Sequence, residues 1–215
     1  MLRSISLKLA VGLVAGLVLV NQGFANSRRA ISAELNRPVI RGGIVFKNYC
    51  GICHGHTGDG KSRATKLYGK KALSISSLSK KRLEKIIRFG GKAVGKSPFM
   101  PPWNEELSEE QIHDVVAYLA VIKSKVKRGE VVFKTNCILC HGIKADGKGR
   151  AAKLYDPPPA DLTHSDKNND YKEQIIRFGG KAMGRSEVMP PWGSQLSDQE
   201  ISDIVSYLAT VLARK

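Results

Sequence analysis

The chain contains two copies of one sequence pattern, and this duplication limits the folds it can adopt more than any other feature. The matching segments are YCGICHGHTGDGK and NCILCHGIKADGK from positions 49 and 136, IIRFGGKA from positions 86 and 175, and MPPW from positions 100 and 189. The offset is 87 residues at the first segment and 89 at the other two. Self-similarity of this kind indicates a duplicated structural unit. Each unit has only about 85 residues, a size at which a hydrophobic core alone gives marginal stability, so we expect another group to complete the core.

Hydrophobic periodicity predicts that each unit begins and ends with a helix. Residues 43–50 carry apolar side chains at helical spacing that run into the first cysteine motif, and the second copy repeats them. At the other end, Ser108 and Ser197 each begin a capping box that is followed by apolar residues on one helix face. No period-two alternation between the helices is long enough for a sheet. The predicted fold class is therefore mainly α, with a few helices and long loops in each of two tandem domains.

Each copy contains the five-residue pattern Cys-x-x-Cys-His. Four cysteines could form two disulfides, two redox dithiols, half-sets of zinc ligands or haem attachment points. The histidine favours haem attachment, because two thiols on one helical turn can add to the vinyl groups of one haem while the next imidazole reaches the iron. A redox dithiol is expected after a strand, and zinc would need four ligands from both motifs jointly. The candidate residues are Cys50, Cys53 and His54 in the first copy and Cys137, Cys140 and His141 in the second.

A methionine is expected to fill the second axial position of each iron. Met100 and Met189 occupy equivalent positions before Pro-Pro-Trp, whereas Met183 lies opposite Val94. Prolines stiffen a loop and cannot continue a helix, which suits a loop that presses a sulfur onto a metal. The alternative role for a methionine is to fill gaps in a core. Three histidines are weaker candidates for the same axial position: His56, His113 and His164.

The order of these features resembles that of class I c-type cytochromes. The resemblance rests on Gly-x-x-x-Phe ahead of Cys-x-x-Cys-His-Gly, then Met-Pro-Pro-Trp, then a capped helix ending in Tyr-Leu. It covers residues 40–213 and is that of two such domains fused in tandem. It implies two covalently bound haem c groups, each wrapped by helices, with the first and last helices of a domain crossing near Gly42 or Gly129. It also implies transfer of single electrons through an exposed haem edge.

One departure from that family concerns the loop that supports the ligand histidine. Members of the family commonly have a proline there, whose carbonyl group holds the histidine ring. Residues 157–159 of the second copy are all proline, whereas residues 70–72 of the first are Lys-Lys-Ala. Hydrogen bonding to the axial histidine and nearby charge both tune the iron, so we expect two unequal reduction potentials.

Four other repeated residues have roles that the sequence leaves open. Arg88 and Arg177 are expected either to pair with haem propionates or to lie exposed on a helix. Trp103 and Trp192 are expected either to donate an indole hydrogen to a propionate or to pack over the haem edge. The repeated Gly-Gly of IIRFGGKA predicts a close approach of the chain to the haem or the end of a helix.

The first 25 residues have the composition of an export signal. Arg3 and Lys8 precede an apolar run at positions 9–20 and small residues up to Ala25, a pattern typical of a cleaved signal peptide. The run is well short of the roughly 20 apolar residues of a transmembrane helix. No later segment is long and apolar enough to span a membrane. We therefore expect a periplasmic protein without a transmembrane anchor.

The remaining chain is strongly basic. The formal net charge is +16, and two basic and no acidic residues lie in the first 25 positions, which leaves +14 on the mature chain. An exported protein rarely meets nucleic acid, and the basic residues are spread along the chain, so no nucleic-acid binding is expected. The charge predicts redox protein partners with an acidic docking face, or peripheral association with an anionic membrane. A role in solubility alone is the alternative.

These features favour an electron-transfer protein over a haem enzyme. A peroxidase-like enzyme needs a free iron position, and Met100 and Met189 would close both irons. Nothing resembling a catalytic acid–base pair lies beside either motif. The chain is therefore expected to carry single electrons between periplasmic redox partners, or to serve as the cytochrome subunit of a dehydrogenase or oxidase complex.

The same features divide the chain into four parts. We expect a signal peptide at 1–25, an N-terminal extension at 26–39, a first cytochrome c domain at 40–125 and a second at 126–215. The linker between the domains is expected at 123–128, and so short a connection favours two haems held close enough to exchange electrons.

Overall fold

A computed structural model describes residues 26–75 and 78–212. Its helices are α1 (26–35), α2 (Pro38–Val45), α3 (Gly51–His54), α4 (Thr65–Tyr68), α5 (Lys70–Leu73), α6 (Lys80–Phe89), α7 (Glu109–Leu119), α8 (Lys125–Asn136), α9 (Ile138–His141), α10 (Asn169–Ala182, interrupted at Gly179) and α11 (Asp198–Val211). A π-helical turn, Phe46–Cys50, continues α2 into the first cysteine motif. Within the described ranges, β pairing is limited to one isolated bridge between Asp59 and Ser74. These observations confirm the mainly α fold class.

Each unit is built on the crossing of its first and last long helices. Helix α2 packs across α7, and α8 packs across α11. A methyl group on Gly42 would overlap the carbonyl oxygen of Asp114, and one on Gly129 would overlap that of Asp203. Because a glycine stands at each crossing, the two backbones can touch. The crossings lie where the family resemblance implied them.

Aromatic rings and capping boxes repeat around the two crossings. The rings of Phe46 and Tyr118 lie 5.4 Å apart, and those of Phe133 and Tyr207 are also 5.4 Å apart. The predicted capping boxes are present at the starts of α7 and α11, where Ser108 pairs with Gln111 and Ser197 with Glu200. The sequence pattern therefore located both closing helices correctly.

A bidentate ion pair stabilises each crossing. In the first unit, Arg41 donates to both carboxylate oxygens of Asp114, at 2.6 and 2.9 Å. In the second, Arg128 donates to Asp203 at 2.6 and 2.8 Å and also to the carbonyl oxygen of Ile122 at 2.6 Å. The second pair is deeply buried, with Arg128 5% and Asp203 1% exposed, whereas the side chain of Arg41 is 30% exposed.

The difference in burial predicts unequal effects of two matched substitutions. Asp203→Asn would leave the buried guanidinium of Arg128 without its counter-charge, and loss of one partner of a buried pair costs about 3–5 kcal/mol. We expect a clearly smaller loss for Asp114→Asn, since Arg41 is partly exposed to water and would keep its ion pair with Glu110, at 2.9 Å. Urea denaturation of the two variants checks this order. Equal losses in the free energy of unfolding would contradict it.

The N-terminal extension is a helix that contacts both units. Leu35 packs against the hydrophobic cores of both units, and Ile31 packs against that of the second. Glu34 pairs with the buried Lys134 at 3.5 Å, and Arg37 pairs with Glu130 at 2.8 Å. The sequence pattern did not indicate this arrangement, because the contacts join residues that are about a hundred positions apart.

The two units also contact each other directly through α2 and α8. The Lys47 Nζ atom lies 2.9 Å from Glu200, which also caps α11. Burial raises the pKa of Glu200, but hydrogen bonds from Lys47 and from the backbone of Ser197 together bring that pKa below its ordinary value. Glu200 is therefore held in its charged form between the units.

The connection between the units is shorter than the sequence indicated. Helix α7 ends at Leu119 and α8 begins at Lys125, so the expected linker at 123–128 is wrong in detail. Its second half is the first turn of α8, where Arg128 already pairs with Asp203.

In the described ranges, no helix combines the length and the apolar character needed to cross a membrane. The expected signal peptide at 1–25 lies outside those residues.

Candidate haem sites

The two cysteine motifs form short helical turns at equivalent places. Helix α3 ends at His54 and α9 ends at His141, and all four cysteines are half-buried free thiols. Burial, with a smaller contribution from the neighbouring Cys53, raises the pKa of Cys50 to about 12, and burial likewise raises that of Cys137 to about 12. A redox dithiol needs a lowered thiol pKa, so these sites lack the character of a dithiol centre.

The structure does not bring the two motifs together as a shared zinc site would require. Among residues 26–75 and 78–212, no three histidine, cysteine or acidic side chains converge into a group that could hold a metal ion. Each motif instead lies against the core of its own unit: Cys50 packs on the first core and Cys137 on the second.

A loop after each motif is attached to the carbonyl group of the motif histidine. The N–H of Gly60 donates to the carbonyl oxygen of His54 at 3.0 Å, and that of Gly147 donates to His141 at 2.9 Å. The preceding residues, Asp59 and Asp146, accept hydrogen bonds from the backbone two positions on. The repeated Asp-Gly-Lys therefore supports the motif histidine, a role that sequence reasoning missed although the repeat itself was visible.

The ring of His141 is oriented by a backbone carbonyl. Its Nδ1 atom lies 3.2 Å from the carbonyl oxygen of Ala160, which leaves Nε2 for a metal. Burial lowers the pKa of His141, and the contact with Ala160 opposes that shift, so the imidazole is favoured in its neutral form. The supporting carbonyl comes from Ala160 and not from the three prolines at 157–159 that precede it, which corrects the expectation drawn from the family.

The loop with Lys-Lys-Ala in the first unit and the loop with three prolines in the second are each held by an equivalent backbone hydrogen bond. The N–H of Ile75 donates to the carbonyl oxygen of Gly58 at 2.8 Å, and the equivalent Leu162 donates to Ala145 at 2.8 Å. The first unit thus holds this loop in place with Lys-Lys-Ala where the second has three prolines.

The methionine loops are held by the repeated glycine pairs. The N–H of Gly91 donates to the carbonyl oxygen of Met100 at 2.9 Å, and Gly180 donates to Met189 at 2.9 Å. The glycine before each has a φ of +76° or +79°, and a methyl group there would lie 2.8 Å from the same methionine carbonyl. The sequence predicted an approach to the haem or the end of a helix. Gly90 is the C-cap of α6, as the second alternative requires, and the close contact of both glycine pairs is with the methionine loop.

A second backbone hydrogen bond attaches each tryptophan to the preceding helix. Trp103 donates its N–H to the carbonyl oxygen of Ile87 at 3.0 Å, and Trp192 donates to Ile176 at 2.9 Å. Each Met-Pro-Pro-Trp loop is therefore fixed at both ends against α6 or α10. Because Ile87 and Ile176 are buried, these hydrogen bonds fix the position of each loop relative to the core of its unit.

The cysteine motif and the methionine loop of each unit pack on the same core. In the first unit, Trp103 packs on the core that also contacts Cys50, and its ring lies 5.7 Å from that of Tyr49. In the second unit, Cys137, Met189 and Trp192 all pack on the same core.

The side chains around each motif fit a large apolar group with acidic edges. The Nε1 atom of Trp103 is buried and has no hydrogen-bond partner within the described part of the chain, as a donor to a propionate would be. Large apolar side chains are exposed at equivalent positions of the two units. These pairs are Ile52 and Leu139, Leu67 and Leu154, Phe89 and Phe178, and Phe99 and Val188. Both features suit a haem.

The repeated arginines have carboxylate partners in the protein. Arg88 pairs with Glu109 and Arg177 pairs with Asp198. Both acids lie in the first turn of a closing helix, where negative charge is favourable. The sequence left two roles open, pairing with haem propionates or exposure on a helix, and it did not predict these ion pairs with protein carboxylates.

The competing histidines lie at the surface. His113 is exposed on α7, and His56 is 47% exposed with its Nδ1 atom 3.9 Å from Glu200 of the other unit. His164 is 72% exposed and lies 3.1 Å from Asp161.

Comparison with known proteins identifies the family. Residues 38–119 and 124–208 each match the family described as "Cytochrome C oxidase, cbb3-type, subunit III". A cbb3-type cytochrome c oxidase subunit FixPc from Rhizobium leguminosarum is 28% identical over 79% of this chain and 60% of its own length. The subunit CcoP from Rhodobacter capsulatus is 27% identical over 78% of this chain and 60% of its own length. The chain thus spans about three fifths of the length of these relatives.

A shorter relative and one solved structure complete the comparison. A cytochrome c-553-like protein from Synechocystis is 26% identical over 45% of this chain and 78% of its own length. A chain of the Kuenenia stuttgartiensis reducing HAO-like protein complex is 20% identical and covers 80% of this chain and 96% of its own, with a TM-score of 0.37, too low to support an argument.

The family match covers both units and most of the described residues. It confirms the resemblance to tandem class I c-type cytochromes and the mainly α fold. It also confirms the expectation of an electron-transfer component in place of a haem enzyme. The chain belongs to the family of subunit III of cbb3-type cytochrome c oxidases, and its two units are cytochrome c-like domains.

Proposed function

We propose that this chain is a dihaem electron-transfer subunit that passes single electrons between protein partners. The observation that carries the proposal is the repeated three-part arrangement. In each domain, a Cys-x-x-Cys-His turn, a methionine loop held by glycine and a tryptophan fixed to the preceding helix lie on one core.

The proposal assigns a role to each candidate residue. In each domain the two thiols would hold a haem through thioether bonds, and one imidazole nitrogen and one methionine sulfur would bind its iron. The bound haem would supply a one-electron couple. The residues that would form the thioether bonds are Cys50, Cys53, Cys137 and Cys140, and those that would bind iron are His54 with Met100 and His141 with Met189.

Backbone groups and one indole of the protein would set the environment of that redox couple. The carbonyl group of Ala160 holds the imidazole of His141 through Nδ1, which fixes the ring and increases its basicity. The buried indole of Trp103 is placed to donate to a carboxylate. Two backbone hydrogen bonds hold each methionine loop, so little reorganisation is needed when the iron changes its charge.

The proposed setting is an oxidase complex outside the cytoplasm. The relatives are named as subunits of cbb3-type cytochrome c oxidases, which supports a subunit over a freely diffusing carrier. The signal-like pattern at 1–25 supports export to the periplasm. We propose the domain division 40–125 and 126–215 after a 26–39 extension, supported by the short connection between α7 and α8.

We also propose redox partners with an acidic docking face. The support is the +14 charge of the mature chain, because a positive field raises the association rate of negative partners.

A redox titration with a haem count tests the proposed function. We expect two covalent haems per chain and two unequal potentials. Residues 40–125 carry 16 basic and 7 acidic residues, an excess of 9, whereas residues 126–215 carry 14 and 11, an excess of 3. Positive charge favours the reduced iron, so the first haem is expected to have the higher potential.

The titration is followed by absorption during stepwise reduction of the purified chain. Assignment uses a variant in which Cys137 and Cys140 are replaced by alanine, which retains the first haem only. Fewer than two covalent haems in the wild-type chain would refute the proposal. A single potential for both haems would refute the predicted difference.

A further inference from the structure

One face of the cytochrome unit is built from equivalent positions in the two domains. We call it the contact face. Its residues are Gly43, Lys47 and Tyr118 in the first domain and Glu130, Lys134 and Tyr207 in the second. The two tyrosines are buried, at 6% and 8% exposure. The part of the chain that lies on this face differs between the domains.

In the first domain, the contact face holds the second domain. Val131 of α8 packs into the first core and is itself 5% exposed. A methyl group on Gly43 would lie 2.4 Å from a methyl carbon of Val131, so the glycine makes room for that side chain. Beside this contact, the Nζ atom of Lys47 pairs with Glu200 at 2.9 Å. The second domain therefore offers the face an apolar side chain and a carboxylate.

In the second domain, the contact face holds the N-terminal helix α1. Ile31 and Leu35 of α1 pack on the second core. The Nζ atom of Lys134, the equivalent of Lys47, lies 3.5 Å from Glu34. The helix thus offers its face the same combination of apolar side chains and a carboxylate.

The charges around the two buried tyrosines correspond as well. Burial raises the pKa of Tyr118 to about 12, and burial likewise raises that of Tyr207 to about 12. An arginine and a glutamate of the neighbouring element also act on each phenol. They are Arg128 and Glu200 at Tyr118, and Arg37 and Glu34 at Tyr207.

The contact faces differ at one position, where the second domain has Glu130 in place of Gly43. A side chain there would overlap a valine placed as Val131 is, so the second domain cannot hold a further cytochrome domain in the same way. Glu130 instead accepts hydrogen bonds from Arg37 at 2.8 Å and from Lys127 of its own helix at 3.0 Å. Its side chain is only 13% exposed, and a charge at such a site needs partners.

We infer that Gly43 and Glu130 decide which neighbour each contact face accepts. The face of the first domain accepts a cytochrome domain, and the face of the second accepts a helix that carries an arginine, α1 with Arg37. Helix α1 thus closes the row of domains, as a terminal capping unit does in repeat proteins. The inference goes beyond the proposed function, because it concerns contacts within the protein and holds whichever partners exchange electrons with it.

The test measures the accessibility of Tyr118 and Tyr207 in the haem-loaded full chain. N-acetylimidazole acetylates accessible phenols at neutral pH, and mass spectrometry of the peptides gives the rate at each tyrosine. Both should react slowly in the wild type, because both are buried. The rate at Tyr118 then measures the contact of the second domain, and the rate at Tyr207 measures that of α1. Haem absorption of the same samples shows that the domains stay folded.

Gly43→Glu gives the first face the residue of the second. We expect acetylation of Tyr118 to rise about tenfold, because the new side chain overlaps Val131, whereas the rate at Tyr207 should change less than about twofold. Gly43→Ala should also raise the rate at Tyr118. Adding Val131→Ala, which removes the overlapping carbon, should reverse that rise. An unchanged rate in Gly43→Glu, or no reversal in the double variant, would overturn the inference.

Arg37→Glu tests the second face. It places a carboxylate beside Glu130 and Glu34, where like charges repel, so we expect acetylation of Tyr207 to rise about tenfold. Amide hydrogen exchange of residues 28–36 should accelerate with it, and the rate at Tyr118 should change less. Glu130→Gln should raise the rate at Tyr207 by a smaller factor, because Arg37 loses its charged partner.

The matched control for this face is Arg29→Glu. Arg29 is exposed on α1, and the substitution changes the net charge by the same amount as Arg37→Glu. Both tyrosines should then react at the wild-type rate. If Arg29→Glu and Arg37→Glu have equal effects, or if Tyr207 keeps its wild-type rate in Arg37→Glu, Glu130 does not select α1 and the inference is wrong.

Discussion

Replacing Met189 by alanine is expected to open one iron of the haem-loaded chain to carbon monoxide. The wild-type reduced protein should bind none, because the proposed histidine and methionine ligands would fill both axial positions of both irons. The single variants Met189→Ala and Met100→Ala should each bind one equivalent per chain, and the double variant should bind two. The near-infrared band of the sulfur–iron bond should fall by half in each single variant. The potential of the affected haem should drop, since a methionine ligand raises it.

The structure gives a reason to expect this all-or-none result. The loop around each methionine is held by its backbone, through Gly91 or Gly180, and by the tryptophan that follows. Removal of the side chain should therefore leave the loop in place. His164, an alternative ligand that the sequence suggested, is 72% exposed and lies 3.1 Å from Asp161.

The third methionine provides the control. Met183 caps the end of α10, and its repeat equivalent is Val94. Met183→Ala should change neither carbon monoxide binding nor the near-infrared band. Wild-type behaviour of both single variants at Met100 and Met189 would show that the axial ligands have been assigned wrongly.

Alanine at Gly129 or Gly42 is expected to cause the largest loss of stability. The added methyl group would overlap a backbone carbonyl of the crossing helix, of Asp203 or Asp114, and neither backbone can rotate away as a side chain could. The helices must move apart, which disturbs the aromatic contact and the ion pair beside each crossing. We expect a loss of at least about 3 kcal/mol in the free energy of unfolding, in the upper range for single substitutions.

A glycine nearby makes the matched control. Gly51→Ala adds a methyl group in a helical turn, with its nearest contact, the carbonyl oxygen of Phe46, at an ordinary 3.5 Å. The second domain already has Ile138 at the equivalent position. Urea denaturation followed by circular dichroism should show little change for this variant. A stability loss at Gly42 or Gly129 no larger than that at Gly51 would mean that the crossings tolerate a side chain.

Much of the candidate site could be predicted because its signals are local. The spacing of Cys50, Cys53 and His54 predicts covalent haem attachment from only five consecutive residues. The repeat then selected Met100 and Met189 over Met183, since only they recur at equivalent positions. Capping boxes are equally local, and both closing helices were located from them.

The supporting contacts could not be predicted, because they join residues far apart in sequence. Arg41 and Asp114 form an ion pair although they are 73 positions apart. Both residues recur in the second copy as Arg128 and Asp203, and this repetition was the sequence feature from which the pair could have been predicted. Three prolines before Ala160 suggested the wrong carbonyl for His141, since which carbonyl faces a ring depends on the path of the loop.

The sequence by itself determined that there are two units, that they are helical and which residues are suited to bind haem. Each of these properties could be predicted from the spacing of nearby residues and from its recurrence in the second copy. Only the tertiary structure decided how the methionine loops are held, that the N-terminal helix contacts both units, and that Val131 packs against Gly43. Those outcomes depend on how helices pack, and packing is settled by the whole core and not by any one segment.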